Sequence, residues 1–323
     1  MKKKILKPLI SIAVLVVFTV LIGRYLFENW HEFTNISITE PYYLIPAALL
    51  IVINIYATGI VLDLAIEPHG VKLSKREAFG LANITRFSNQ FSPSYVGATL
   101  RARYIKRSYG VSYTKFSSSF LVSNLLQFMI SGLLAITAFL VVTPVLDNGQ
   151  PLIFISIAII IFLTALYIPI PYFIRMAKKI ENRRTRFEKL FRWGGELLEG
   201  YATVRNHPGI LQHTILWMFV TTLSLAGVFF LLYGSLGSQV SLLGALFIAA
   251  LSSWSIIFAI TPGNIGVREG LIVVAAGIVG ANIAITLVVA ILLRLLMLLV
   301  SGFFSIFFAS RMISPPNIGQ DRL

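Results

Sequence analysis

Long apolar windows separated by short polar ones dominate the chain. Runs covering residues 9–27, 42–66, 116–142, 152–174, 210–233 and 284–309 are almost wholly apolar. At about 1.5 Å of rise per residue, a helix over each of them reaches across a hydrocarbon core of about 30 Å. The pattern predicts six full membrane spans. A further apolar region, residues 240–279, is interrupted by "TPGNIGVREG" (261–270), which sets a proline, three glycines and an Arg-Glu pair between two greasy segments. Residues 240–260 alone are long enough to span, whereas 271–279 are too few. Either 240–260 crosses and the chain ends on the outer side, or 240–279 is a helical hairpin that enters and leaves on one side. Parity with the charge distribution favours the hairpin.

Composition agrees with the pattern: 57% of residues are hydrophobic, 12% are charged, and the mean hydropathy is +0.83. A soluble surface carries roughly twice that share of charge. The amino-terminal apolar run exceeds the core of a secretory signal and no small-residue cleavage site follows, so it reads as a retained first span. The chain has no cysteine, which rules out disulfides, thiol catalysis and thiolate metal sites.

The formal net charge is +14, and its placement carries more information than its size. Of the 27 Lys and Arg, all but Arg24, Arg268 and Arg294 fall in residues 2–7, 67–115, 175–208 and the tail from Arg311. The connections on the other side hold acids only, Glu28, Glu32, Glu40 and Asp147. By the positive-inside rule both termini are cytoplasmic, in a multi-pass protein of the cell membrane. Basic charge between spans faces an anionic lipid surface, so nucleic acid is not the expected partner. The loop 175–208 has Phe187, Leu190, Phe191, Leu197 and Leu198 near helical spacing. It reads as an amphipathic helix on the headgroups or as a solvated connector.

An internal echo accompanies the break. "SPSYVGATLRAR" and "TPGNIGVREG" both have Ser/Thr-Pro, a glycine four residues after the proline, and an arginine soon after: Pro93, Gly97, Arg101 and Pro262, Gly266, Arg268. The span before each motif approaches from opposite sides. This organisation divides the chain into a first span with its outer loop (1–40), a first unit (41–143), a connecting span with the basic loop (144–209), a second unit (210–310) and a tail (311–323). The expected fold is therefore an all-α polytopic bundle of six spans plus two broken or re-entrant hairpins, arranged as an inverted repeat, as in many transporters. Two unrelated helix breaks in a Gly-rich membrane protein are the simpler alternative.

Broken backbone at membrane depth survives only inside protein or against water. Pro262 removes a donor, while Gly263 and Gly266 permit tight geometry. Helix N-termini beside such a break offer free N–H groups to an anion such as a lipid phosphate. Arg268 adds a phosphate-gripping fork, and Glu269 is placed to hold it or to carry a proton. Arg294, inside "LVVAILLRLLMLLV", would cost about 2.5–3.5 kcal/mol facing lipid at the midplane. It should face the interior, with Glu269 as its partner; the structural reading of the three is an Arg-Glu-Arg lock. Arg86, Arg101 and Arg103, with Asn83, Asn89 and Gln90, form a polar cluster at the cytoplasmic approach to the first break. Asn124 and Gln127 read as hydrogen-bonding glue between helices, and Asp63 as an acid that pairs with a basic neighbour or titrates.

No enzyme signature competes. The four histidines have no ligand spacing, and nucleophile-elbow, Walker and dinucleotide fingerprints are missing. No catalytic residue, metal or cofactor is implied. At "TPGNIGVREGLIVVAAGIVG", followed by the arginine in "LLRLL", the chain resembles the lysylphosphatidylglycerol synthase transmembrane region, the flippase-like domain of the multiple peptide resistance factor proteins. Pro262, Gly263, Gly266 and Glu269 match that family's Pro-Gly-x-x-Gly-x-x-Glu motif in register. "SPSYVGATLR" followed by "YGVS" looks like its first motif, although Ala98 and Thr99 stand where the family often has an acid. The resemblance implies a membrane domain that moves or handles lipids, in some members joined to a cytosolic aminoacyltransferase that these 323 residues lack. The expected function is a flippase-like protein that moves or binds an anionic, phosphate-bearing lipid. Arg268, Glu269 and Arg294 would line a midplane cavity, with Arg101 and Arg86 at its approach. Transport of a small anionic solute, or a non-transporting scaffold that recruits a lipid- or envelope-modifying enzyme, are the alternatives.

Overall fold

The computed structural model describes residues 36–91, 96–142, 206–258, 261 and 263–313, with Arg24, Phe27, His31 and Ile157 as isolated positions. Outside them fall the expected spans 9–27 and 152–174 (those isolated positions apart), the basic loop through residue 205, both motif prolines Pro93 and Pro262, and the tail beyond residue 313. Regular structure among the described residues is entirely helical: α1 Leu44–Ile66, α2 Lys75–Phe91, α3 Val96–Tyr109, α4 Tyr113–Val142, α5 Pro208–Ser235, α6 Leu242–Ser253, α7 Val267–Ile278 and α8 Ile283–Ile313. Pro208 opens its helix in the first turn, where the missing N–H has no intrahelical partner to lose.

Four stretches are apolar and long enough to cross a membrane: Pro41–His69, Tyr113–Val142, Pro208–Ser235 and Ile283–Phe308, of 29, 30, 28 and 26 residues. They are α1, α4, α5 and α8 with their short extensions. Roughly 40 Å of helix exceeds the hydrocarbon thickness, which leaves room for tilt. Helices inside lipid gain little from hiding apolar surface, so they associate through close packing and interhelical hydrogen bonds. The α1–α5 contact has both. Tyr43 lies against Gly234, Leu50 against Gly227, and Asn54 Nδ2 donates to Thr221 O (2.6 Å) and Ser224 Oγ (3.1 Å). These pairings run in opposite directions along the two helices, so α1 and α5 are antiparallel. Gln127 on α4 ties itself to Thr221 and Thr222 of α5 at 3.1 and 3.0 Å, while Asn124 donates to its own helix at Phe120 O.

The remaining helices form two hairpins. At the end of the bundle where α1 finishes and α4 and α5 begin, α2 runs inward and α3 returns. Glu77 near the start of α2 accepts the hydroxyls of Tyr104 and Tyr109 near the end of α3, at 2.8 and 2.7 Å. Between these points Gly97 brings α3 so near α2 that a Cβ there would sit 2.4 Å from Thr85 Cγ2. Lys72, Lys75, Lys106 and Lys115 mark this as the basic end.

The second hairpin enters from the opposite end. Ser241 caps α6 by accepting from Gly244 N at 3.0 Å, and α6 continues as a 3-10 turn through Phe258. The chain turns at residues 261–266, and α7 leads back until Val279 stands beside Gly244. At 12 residues each, α6 and α7 span about 18 Å. α6 and α7 therefore pack as a hairpin whose start and finish lie at the same end of the bundle. α2 lies along α8, with Phe79 edge-on to Phe304 at 5.0 Å, and α6 lies along α4, with Phe247 against Phe139 at 5.9 Å.

Candidate functional site

The tips of the two hairpins meet near the middle of α8. Gly263 at the second tip has φ +62°, and a Cβ on it would fall 2.5 Å from the carbonyl oxygen of Gln90 at the first. Only glycine serves at a position with both that backbone angle and that contact. Arg294, about midway along α8, clamps the junction. Its Nη1 donates to Gln90 Oε1 (3.4 Å) and to Gly263 O (3.3 Å), one bond to each tip. Its Nη2 and Nε both donate to Glu269 Oε1, at 2.5 and 3.2 Å.

Glu269 is fully engaged from its other oxygen too. Gly266, at φ +87°, stands at the N-cap of α7, and its N–H donates to Glu269 Oε2 at 2.7 Å. A carboxylate at the third helical position that reaches back in this way satisfies one of the donors that every helix start leaves open. The turn is completed by Thr261 Oγ1 donating to Ile265 O (2.7 Å) and by Asn264, in the left-handed region at φ +55°, donating to Ser255 O (2.9 Å). Glu269 and Arg294 are thus a lock on the turn and on the meeting of the tips. Neither lines the cavity.

That cavity, of about 390 Å³, lies on the basic-end side of the tips. It runs from Gln90, Thr261 and Asn264 at its floor toward Ile66 and Phe116 near the ends of α1 and α4. His69 stands at that end, with its Nε2 2.8 Å from the hydroxyl of Ser119 in the wall. The other polar walls come from Asn54 and Thr58 of α1, Ser123 and Gln127 of α4, Thr221 and Thr222 of α5, and Ser252 and Ser255 by the second hairpin. The charged lining is of one sign. Arg86 of α2, Arg101 of α3 and Arg268 of α7 line the cavity, and no Asp, Glu, Lys or His does so among the described residues.

The three guanidiniums are held differently. Arg101, 9% exposed, gives Nε to Thr85 Oγ1 at 2.6 Å, and Thr85 in turn donates to Leu81 O at 2.7 Å. Arg86 Nη1 rests 3.0 Å from the thioether of Met297, a weak acceptor. Among the described residues Arg268 has no side-chain hydrogen bond, and the only salt bridges are Arg294–Glu269 and Lys72–Glu67. Arg86 is near enough to both Arg268 and Arg101 for their charges to repel it. Asn264 Oδ1 is buried and without a partner, so the floor also holds an open acceptor.

The sequence motifs are accounted for unequally. Gly97 donates its N–H to Asn89 Oδ1 (2.9 Å) and serves close packing of α2 on α3. Asp63, read as pairing with a basic neighbour or titrating, accepts from Leu73 N at 2.6 Å. Arg86 and Arg101, expected at the approach, stand in the cavity wall itself. Thr85 and the serines at 252, 253 and 255 were not singled out in the sequence. They sit in windows that read as plain helix, and Ser252 and Ser253 bond back to Ala249 O as membrane-helix serines do.

The chain belongs to the family described as Lysylphosphatidylglycerol synthase TM region, which matches residues 5–304. No curated protein matches it. With four apolar membrane-length helices and this family, it is a multi-pass helical membrane protein.

Proposed function

From this membership and the charge of the cavity, we propose a flippase-like protein that admits the phosphate-bearing headgroup of an anionic membrane lipid. One observation carries the reading: among the described residues, three arginines and no acid face a chamber at the meeting of two hairpin tips, between helices of which four are apolar and membrane-length. A cation withdrawn from water without a counter-charge carries a desolvation cost, and here Arg101 is buried and Arg86 and Arg268 half-buried, so the three together favour an anion. Guanidinium forks match phosphate oxygens two at a time.

The two halves support an inverted repeat. Each is a long helix, a two-helix hairpin and a long helix, and the neighbours correspond: α2 packs on α8 as α6 packs on α4, and α1 packs on α2 as α5 packs on α6. The hairpins enter from opposite ends. By the positive-inside rule the basic end is cytoplasmic, so headgroups approach from the inner leaflet, with both termini on that side. Arg268, Arg101 and Arg86 receive the phosphate, while Glu269 and Arg294 hold the tips in register around it.

Reconstitution into vesicles with a fluorescent phosphatidic acid tests this. Wild type should expose the probe to an outside quencher faster than Arg268→Gln at equal folded protein. Equal rates in both would sink the reading, and uptake of a water-soluble anion without lipid movement would move it to a solute transporter.

A further inference from the structure

Which anion fits follows from the same lining, and this step rests on the headgroup reading just given. Among the described residues, Arg101 spends one N–H on a neutral threonine, Arg86 meets a thioether, and Arg268 meets no side-chain acceptor. Glu269, the carboxylate beside Arg268 in the chain, has one oxygen on Gly266 N–H and the other on Arg294. Both ends of the carboxylate are spent outside the cavity. Among its described residues the chamber therefore presents about three positive charges, with guanidinium donors to spare, and no carboxylate for a positive group on the ligand.

We infer that the cavity selects headgroups with two or more negative charges and no ammonium group: a phosphomonoester or a diphosphate. A phosphodiester brings a single negative charge and leaves two guanidiniums uncompensated. An ethanolamine or choline headgroup adds a positive charge that meets neutral oxygens but no carboxylate among the described residues of the wall. A headgroup esterified with lysine, the chemistry in the family's name, brings ammonium groups into a chamber of their own sign, and is disfavoured most. Discrimination here comes as much from the unpaired charge of the wrong ligand as from bonds to the right one.

The protonation of the ligand supplies a signature. A phosphomonoester gains its second charge with a pKa of about 6, whereas a diester has no such step. Affinity for a monoester should therefore fall as pH drops below about 6, and affinity for a diester should stay flat.

The test uses the full chain in phosphatidylcholine nanodiscs. Dioctanoyl phosphatidic acid, dioctanoyl phosphatidylglycerol and dioctanoyl phosphatidylethanolamine are offered in competition and retention is read by native mass spectrometry. At pH 7.5 phosphatidic acid should be preferred over phosphatidylglycerol by about tenfold or more, the equivalent of one charge-assisted contact. Phosphatidylethanolamine should not be retained. The preference should shrink toward parity at pH 5. Arg101→Gln and Arg268→Gln should each reduce it about tenfold, Arg268→Lys should retain part of it, and Lys75→Gln at the exposed basic end should leave it intact. Equal retention of phosphatidic acid and phosphatidylglycerol, both lost in Arg268→Gln, would overturn the inference and leave the lipid reading standing. Displacement by inorganic phosphate at the same concentration as the lipid would do the reverse: the dianion site stands and the lipid reading falls. Retention that is indifferent to headgroup and to the three arginine variants would overturn both.

Discussion

Replacing Glu269 should destabilise the protein before it changes any transport step, and the size of the effect follows from its contacts. The Arg294 and Glu269 side chains are 25% and 14% exposed, so the pair is largely desolvated. Removing one partner of a buried ion pair costs about 3–5 kcal/mol, because the other is left charged and unpaired. Residual exposure places Glu269→Ala toward the lower end, at about 3 kcal/mol, including the loss of the acceptor for Gly266 N–H. Glu269→Gln keeps a carbonyl oxygen for either Gly266 or Arg294 and loses the charge, which lowers the expectation to about 1–2 kcal/mol. Arg294→Met removes the bonds to Gln90 and Gly263 as well, so it should cost as much as Glu269→Ala or more. The double variant Glu269→Gln/Arg294→Met leaves no unpaired charge. It should fall short of the sum of the singles by about 1–3 kcal/mol.

Reversible unfolding in mixed micelles, followed by tryptophan fluorescence, gives the four free energies of that cycle. If both single variants lie within about 0.5 kcal/mol of wild type, or if their effects simply add, the pair is not a lock. The cycle also separates the lock from a proton-carrying role for Glu269. A carrier predicts that Glu269→Gln abolishes the pH dependence of lipid movement while stability is unchanged. The geometry predicts the opposite order, since both carboxylate oxygens are committed to the turn and to Arg294.

Further outcomes follow from the packing. Gly97→Val should cost about 1–3 kcal/mol or prevent folding, because the new Cβ would lie 2.4 Å from Thr85 Cγ2 and 2.7 Å from Thr85 O. Gly277→Ala, at a helical site with nothing within 4 Å, should instead stabilise by about 0.5–1 kcal/mol in the same unfolding assay. The native chain has no cysteine, so single cysteines can be placed at will. An impermeant maleimide should reach Lys72→Cys and Lys106→Cys from one side of a sealed vesicle and Gln239→Cys and Ala281→Cys from the other; labelling of all four from one side would refute the opposed hairpins. At the basic end, burial and then the hydrogen bond to Glu77 push the Tyr104 hydroxyl up to about 12, and the same causes raise Tyr109. A folded-state pKa above the unfolded value of about 10 means a contribution fully present below pH 10 and lost as pH rises toward 12. The unfolding midpoint should drop across that window, and less steeply in Tyr104→Phe/Tyr109→Phe.

What the sequence disclosed and what it withheld divide along a physical line. The described spans were legible because an apolar run of that length has few other uses, and the hairpin tip was legible because Pro262, Gly263 and Gly266 together stop a helix. That Arg294 faces Glu269 was legible from cost, since an arginine mid-span cannot face lipid freely. The division of labour between the adjacent Arg268 and Glu269 was not. "VREG" sets Arg268 and Glu269 side by side, and the natural inference joins them in one site. On a helix adjacent residues point about 100° apart. Once Glu269 turns back to cap Gly266 and meet Arg294, Arg268 must face elsewhere, and it faces the cavity. The phase of α7, fixed by the glycine at φ +87°, decides which residue locks and which remains available. That phase is a property of the turn in three dimensions, and residue type alone does not encode it. The same turn therefore accounts for two features at once: it commits the Glu269 carboxylate to structure, and it leaves arginines as the charged groups lining the chamber among the described residues, which is the feature the proposed anion reading rests on.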